Sequence, residues 1–288
     1  MSTRYPLHPL TNPMPKAQAS APIGIFDSGI GGLSVAQEIA RHLPHERIVY
    51  FADTAHVPYG PRSDQDIREL TAHAIEWLYR QGCKIAVVAC NTASAFSLDY
   101  LREHYGENFP IIGLVPALKP AVLQTKTKKV AVLATPATFR GKLIKDVMVR
   151  FAEPANVLVM PLTCLDLVPF VEAGRQMSEE CLTILNDILK PVIEQGVDHL
   201  VLGCTHYPFL KPAIEHLFAQ RLILIDSGMA VARQTARVLA KNSLLLEQAC
   251  PSEAKICCYV SGGNAKELQS VLQHLITADI LWTVENLD

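Results

Sequence analysis

Two stretches hold residue types that could do chemistry. VVACNTASA, residues 87–95, is a buried-strand pattern running into Cys90 and then into small hydrogen-bonding residues. LVLGCTHYPF, residues 200–209, has the same grammar and presents Cys204. A thiol after a strand, at the start of a helix, meets backbone N–H groups and the positive end of the helix, so a thiolate, or one readily formed, is expected at Cys90. His206, two residues beyond Cys204, could move a proton to or from that thiol, or be a satisfied turn histidine. Three chemistries use such residues. A cysteine-nucleophile acyl hydrolase employs one thiol and leaves the other without a task. A redox pair more often has the C-x-x-C spacing, which this chain lacks. Two-base proton transfer gives both thiols symmetrical work: one takes a proton from carbon, the other delivers one to the opposite face, and a stereocentre is inverted.

The elements that must position these thiols alternate between strand and helix. Apolar runs at 23–26, 48–51, 85–89 and 111–114 predict four strands. A second set follows at 130–134, 157–160, 199–202 and 222–225, with amphipathic segments between them. Nearly the same interval separates Asp27, after the first strand, from Cys90 as separates Thr135 from Cys204. This is a weak internal repeat. Asp226-Ser227-Gly228 echoes Asp27-Ser28-Gly29. A helix, a strand at 256–260 and one more helix are predicted to finish the chain. The pattern is that of an α/β protein with mainly parallel sheets, whose ligands bind beyond the carboxyl ends of the strands. Asp27, Cys90, Thr135 and Cys204 all fall there. Asp27 alone also suits a helix N-cap.

Composition narrows the classes. The 288 residues are 49% hydrophobic and 19% charged, which supports a large packed core. A net charge of −2 without a basic cluster gives no footprint for nucleic acid. No apolar run reaches the roughly 20 residues needed to span a bilayer. Residues 1–21 contain four prolines and no signal-peptide core, so a flexible extension and a cytoplasmic protein are expected. Eight cysteines in such a chain read mostly as buried hydrophobes. Cys257 and Cys258, adjacent on a strand, would face opposite ways, which argues against a zinc site. The glycine cluster at 29–32, with Asp53 as a candidate ribose partner, is a weak nucleotide signal. No Lys or Arg lies in the loops around the two thiols, so a carboxylate substrate would be held by neutral donors and backbone N–H groups.

FDSGIGGLSV (26–35), VPYG (57–60), ACNTASA (89–95) and LGCTHYP (202–208), with IDSG (225–228), together closely resemble the glutamate racemases of the aspartate/glutamate racemase family. The resemblance covers most of the chain after residue 22. It implies two similar, pseudo-symmetric α/β domains with the active site in the cleft between them: residues 22–117 plus 226–288, and residues 118–225. It implies cofactor-independent interconversion of L- and D-glutamate for peptidoglycan synthesis, with no metal, pyridoxal phosphate or nucleotide. Position by position, Cys90 resembles the base for D-glutamate and Cys204 the base for L-glutamate. Asp27 and His206 resemble their auxiliary groups, and Glu172 a further acidic residue. Asp27, Ser28, Tyr59, Gly60, Asn91, Thr92, Thr138, Thr205 and His206 resemble substrate-binding positions. Expected partners are glutamate, a peptidoglycan-precursor activator linked to the N-terminal extension, and a second copy in a homodimer. A racemase for aspartate or a broad range of amino acids, and an acyl hydrolase, are the alternatives.

Overall fold

The structure is a computed structural model and describes residues 17–248, 255–263 and 265–287. The chain begins with β1 (Ile23–Asp27), α1 (Leu33–His42), β2 (Ile48–Ala52), α2 (Asp64–Arg80), β3 (Ile85–Val88), α3 (Asn91–Tyr105) and β4 (Ile111–Gly113). It continues through α4 (Leu118–Gln124), β5 (Lys129–Ala134), α5 (Pro136–Arg140), α6 (Lys142–Val147) and β6 (Leu158–Leu162). Then come α7 (Leu167–Glu172), α8 (Glu179–Glu194), β7 (His199–Gly203), α9 (Lys211–Phe218), β8 (Ile223–Ile225) and α10 (Gly228–Lys241). The last elements are β9 (Ile256–Val260), α11 (Ala265–Leu275) and β10 (Trp282–Asn286).

Among the described residues all strand pairs are parallel, and they form two sheets. One has the order β10-β9-β2-β1-β3-β4, the other β6-β5-β7-β8. The internal repeat is visible in that order: β2-β1-β3-β4 and β6-β5-β7-β8 are the same arrangement, so Cys90 and Cys204 follow equivalent strands. Parallel sheets are covered on both faces, which is why their strands read as continuous apolar runs. Alternate residues of β1 show it. Ile23 and Ile25 join the core beneath α1 and α10, while Phe26 joins Phe51, Val88, Ile67 and Leu101 beneath α2 and α3.

The terminal strand β10 corrects the expectation that a helix ends the chain. Its residues are half-exposed or exposed, and Glu285 and Asn286 break the apolar pattern of an edge strand. The short helices α4 and α9 are also additions to the elements read from sequence; each has a proline in its first turns, a position a helix tolerates. Cys257 is half-buried and Cys258 buried, in keeping with their opposite faces, and the described cysteines are free thiols. Cys250 and residues 1–16 of the expected N-terminal extension lie outside the described residues. Among the described residues no helix is long and apolar enough to cross a membrane, and no group of three or more His, Cys, Asp or Glu could hold a metal ion.

Candidate active site

Cys90 is the N-cap of α3, its sulfur accepting from the Ala93 amide at 3.4 Å. The thiol donates to Ser28 Oγ at 3.6 Å. Across the cleft Cys204 follows β7, with His206 Nδ1 3.7 Å from its sulfur. The ring's other nitrogen, Nε2, lies 2.5 Å from Glu172 Oε1. The same carboxylate oxygen accepts from the Ile30 amide at 3.0 Å, tying α7 of one half to the loop after β1 of the other. Asp27 sits between the halves. Its Oδ2 accepts from the amides of Gly29 at 3.3 Å and Gly32 at 2.9 Å, and its Oδ1 from the Thr205 hydroxyl at 3.2 Å.

A pocket lies between these groups. Ser28, Tyr59, Gly60, Cys90, Asn91, Thr92, Cys204, Thr205 and His206 line it, so one cavity takes residues from both sheets. Asn91 Oδ1 is buried without a hydrogen-bond partner, an acceptor available to a ligand. Asp27, Glu172 and Thr138 stand behind this lining. Thr138 reaches it through Thr135, whose hydroxyl is 3.0 Å from that of Thr138 and 2.8 Å from that of Thr92. Thr135 lines the pocket itself, as do Val57, Pro58, Leu165 and Val168. Thr135 was legible as a polar turn after a strand; the four apolar residues carry no chemical signal in a sequence.

Burial sets the electrostatics. Burial opposes the expected thiolate, or readily formed one, at Cys90: desolvation holds this thiol far above its ordinary range, and the neighbouring Asp27 pushes it further. The Ala93 amide and Ser28 oppose the shift and are outweighed. Asp27, fully buried, is raised to about 6 by desolvation, against the pull of His206 and two backbone amides. For His206 desolvation favours the neutral ring, but its hydrogen bonds to Cys204 and Glu172 and their charges prevail, holding it well above the usual histidine range.

The glycine cluster at 29–32 serves close approach. A Cβ on Gly31 would lie 2.6 Å from His206 Cγ, and one on Gly32 would lie 2.6 Å from the Asp27 Cβ. That space is filled by protein side chains. Asp53 is likewise engaged by Tyr59, His56 and Ser261.

The model of the Asp/Glu/Hydantoin racemase family matches residues 23–235. This chain belongs to that family. It is a racemase, an isomerase acting on an amino acid. A glutamate racemase of Deinococcus radiodurans is 57% identical over 231 residues, 80% of this chain and 79% of that one. One of Ectopseudomonas mendocina is 43% identical over 259 residues, 90% and 96% of the two chains. Among solved structures, a Bacillus anthracis glutamate racemase superposes with a TM-score of 0.81 at 28% identity, covering 94% of this chain and 98% of that one. The Escherichia coli glutamate racemase, solved with L-glutamate and the activator UDP-MurNAc-ala, gives 0.78 at 34% identity, covering 93% and 98%. The shared two-sheet fold is that of glutamate racemases.

Proposed function

We propose that this chain interconverts L- and D-glutamate by a two-base mechanism on Cys90 and Cys204, without a cofactor, and so supplies D-glutamate for peptidoglycan. What supports the reading is the pair of thiols in one pocket, delivered by equivalent strands of two sheets, each with its own auxiliary groups. A hydrolase with one nucleophile leaves half of that arrangement without work. On the same grounds the chain divides into residues 22–117 plus 226–288 and residues 118–225, with the site in the cleft between the two units.

In this mechanism one thiolate removes the α-proton, leaving the electron pair on a carbon conjugated with the carboxylate. The other thiol gives its proton to the opposite face and becomes the thiolate. The buried Cys90 is costly to ionise alone; a substrate ammonium brings the compensating positive charge, and Asn91 Oδ1 is an acceptor for it. His206, held protonated with Glu172 behind it, can give its Nδ1 proton to the Cys204 thiolate and, once neutral, take it back. Ser28, Gly60, Thr92 and Thr205 offer neutral donors to the carboxylates. The assignment of Cys90 to D-glutamate and Cys204 to L-glutamate rests on the family resemblance.

The decisive variants are Cys90→Ala and Cys204→Ala. Each should abolish racemisation in both directions, followed by optical rotation; wild-type turnover in either would contradict the two-base scheme. Activation by a peptidoglycan precursor belongs to the same reading, supported by the activator-bound Escherichia coli relative. It is tested by titrating UDP-MurNAc-ala into the assay. A homodimer in the cytoplasm completes the proposal, with light scattering as the check on its mass.

A further inference from the structure

Asp53 moves no proton in this scheme and does not line the pocket, yet it is 4% exposed at the C-terminal end of β2. Its Oδ2 accepts from the Tyr59 hydroxyl at 2.6 Å. Its Oδ1 accepts from the Ser261 hydroxyl at 2.6 Å and lies 2.8 Å from His56 Nδ1. Its amide donates to the Asp27 carbonyl at 3.0 Å, linking it to the strand that carries the first auxiliary carboxyl. The chain beyond it is fastened to the end of β9. The Ala55 amide donates to Ser261 Oγ at 3.1 Å, and the Thr54 hydroxyl to the Gly262 carbonyl at 2.7 Å. The Gly262 amide donates back to Thr54 Oγ1 at 3.1 Å. The loop fixed in this way supplies Val57, Pro58, Tyr59 and Gly60, one wall of the pocket. A tyrosine hydroxyl committed to a buried carboxylate fixes its ring, and the backbone of the next residue moves with it.

We infer that Asp53 and Ser261 are positioning residues: through one buried carboxylate the end of β9 sets the pose of the loop that holds the substrate. This rests on the glutamate racemase reading. The loop contributes binding surface and no transferred proton, so its displacement raises KM and spares kcat.

The test uses the full chain. In wild type, α-deuteration of glutamate in deuterated water is measured first. Ser261→Ala is then expected to raise KM about tenfold with kcat within about twofold, the loss of one hydrogen bond to a buried charged group. Ser261→Thr should restore KM, and kinetics are read without urea, where all three proteins are folded. Gly262→Ala, whose Cβ would lie 2.8 Å from Ala55 Cα, pushes the loop from the other side and should also raise KM. Asp53→Asn and Tyr59→Phe combined should cost no more than the worse single change. An unmoved KM in Ser261→Ala, or strict additivity of Asp53→Asn and Tyr59→Phe, overturns the inference while wild-type exchange leaves the glutamate reading standing. Absence of wild-type exchange overturns both.

Discussion

Replacing Asp27 with asparagine should stabilise the fold and disable the enzyme, and pH should separate the two effects. Burial raises this carboxyl from 3.8 to about 6, so the fold favours its protonated form. Its contribution to stability is fully present below the unfolded value and is lost as pH rises through about 6. Ionised at neutral pH, the buried group costs about 3 kcal/mol relative to the unfolded chain. Asparagine has the same shape, carries no charge, and keeps an oxygen for the Gly32 amide, 2.9 Å from the present carboxylate. The variant should match wild type near pH 4 in urea unfolding, gain over it between about pH 4 and 6, and lead by roughly 2–3 kcal/mol at pH 8. Racemisation should fall by about 10²-fold or more, the usual loss of a proton-transfer auxiliary. A stability difference constant across pH, or a wild type more stable at pH 8, would refute the reasoning. Stability withheld at a working site is a common trade-off.

Gly31→Ala drives a methyl group into the His206 ring, so racemisation should drop about 10²-fold, as it does when a reacting group is displaced by an ångström. Deuterium exchange initiated through Cys204 should suffer more than exchange through Cys90. Far from the pocket, Lys84 Nζ lies 2.5 Å from Glu46 Oε2, both side chains buried. Lys84→Met leaves the acid without this partner, and thermal or urea unfolding should show a loss of roughly 3 kcal/mol with KM unchanged.

The eight strands of the repeat were legible because parallel strands buried on both faces carry uninterrupted apolar runs, and Cys90 and Cys204 were legible because each interrupts such a run at its end. The edge strand β10 was hidden by polar residues that water tolerates there. The state of Cys90 was misread for a physical reason: the helix end that favours a thiolate is visible in sequence, whereas the desolvation that outweighs it arises only when both halves close around the sulfur. Glu172 comes to His206 from a separate helix, and no local pattern announces that meeting; family resemblance found it where spacing could not. Thr135 was read at a strand end where ligands bind, and it lines the pocket while also capping α5 by accepting from the Thr138 amide. Val57, Leu165 and Val168 shape the cavity with side chains indistinguishable in sequence from core residues.

The central claim is that two thiols work on opposite faces of one α-carbon. It is tested most directly by incubating pure L- and pure D-glutamate with the enzyme in deuterated water and following optical rotation and α-deuteration together. Both enantiomers should converge on the racemate, with deuterium in the product formed by inversion. Loss of optical rotation without incorporation of solvent deuterium, or no change with either enantiomer, would contradict it.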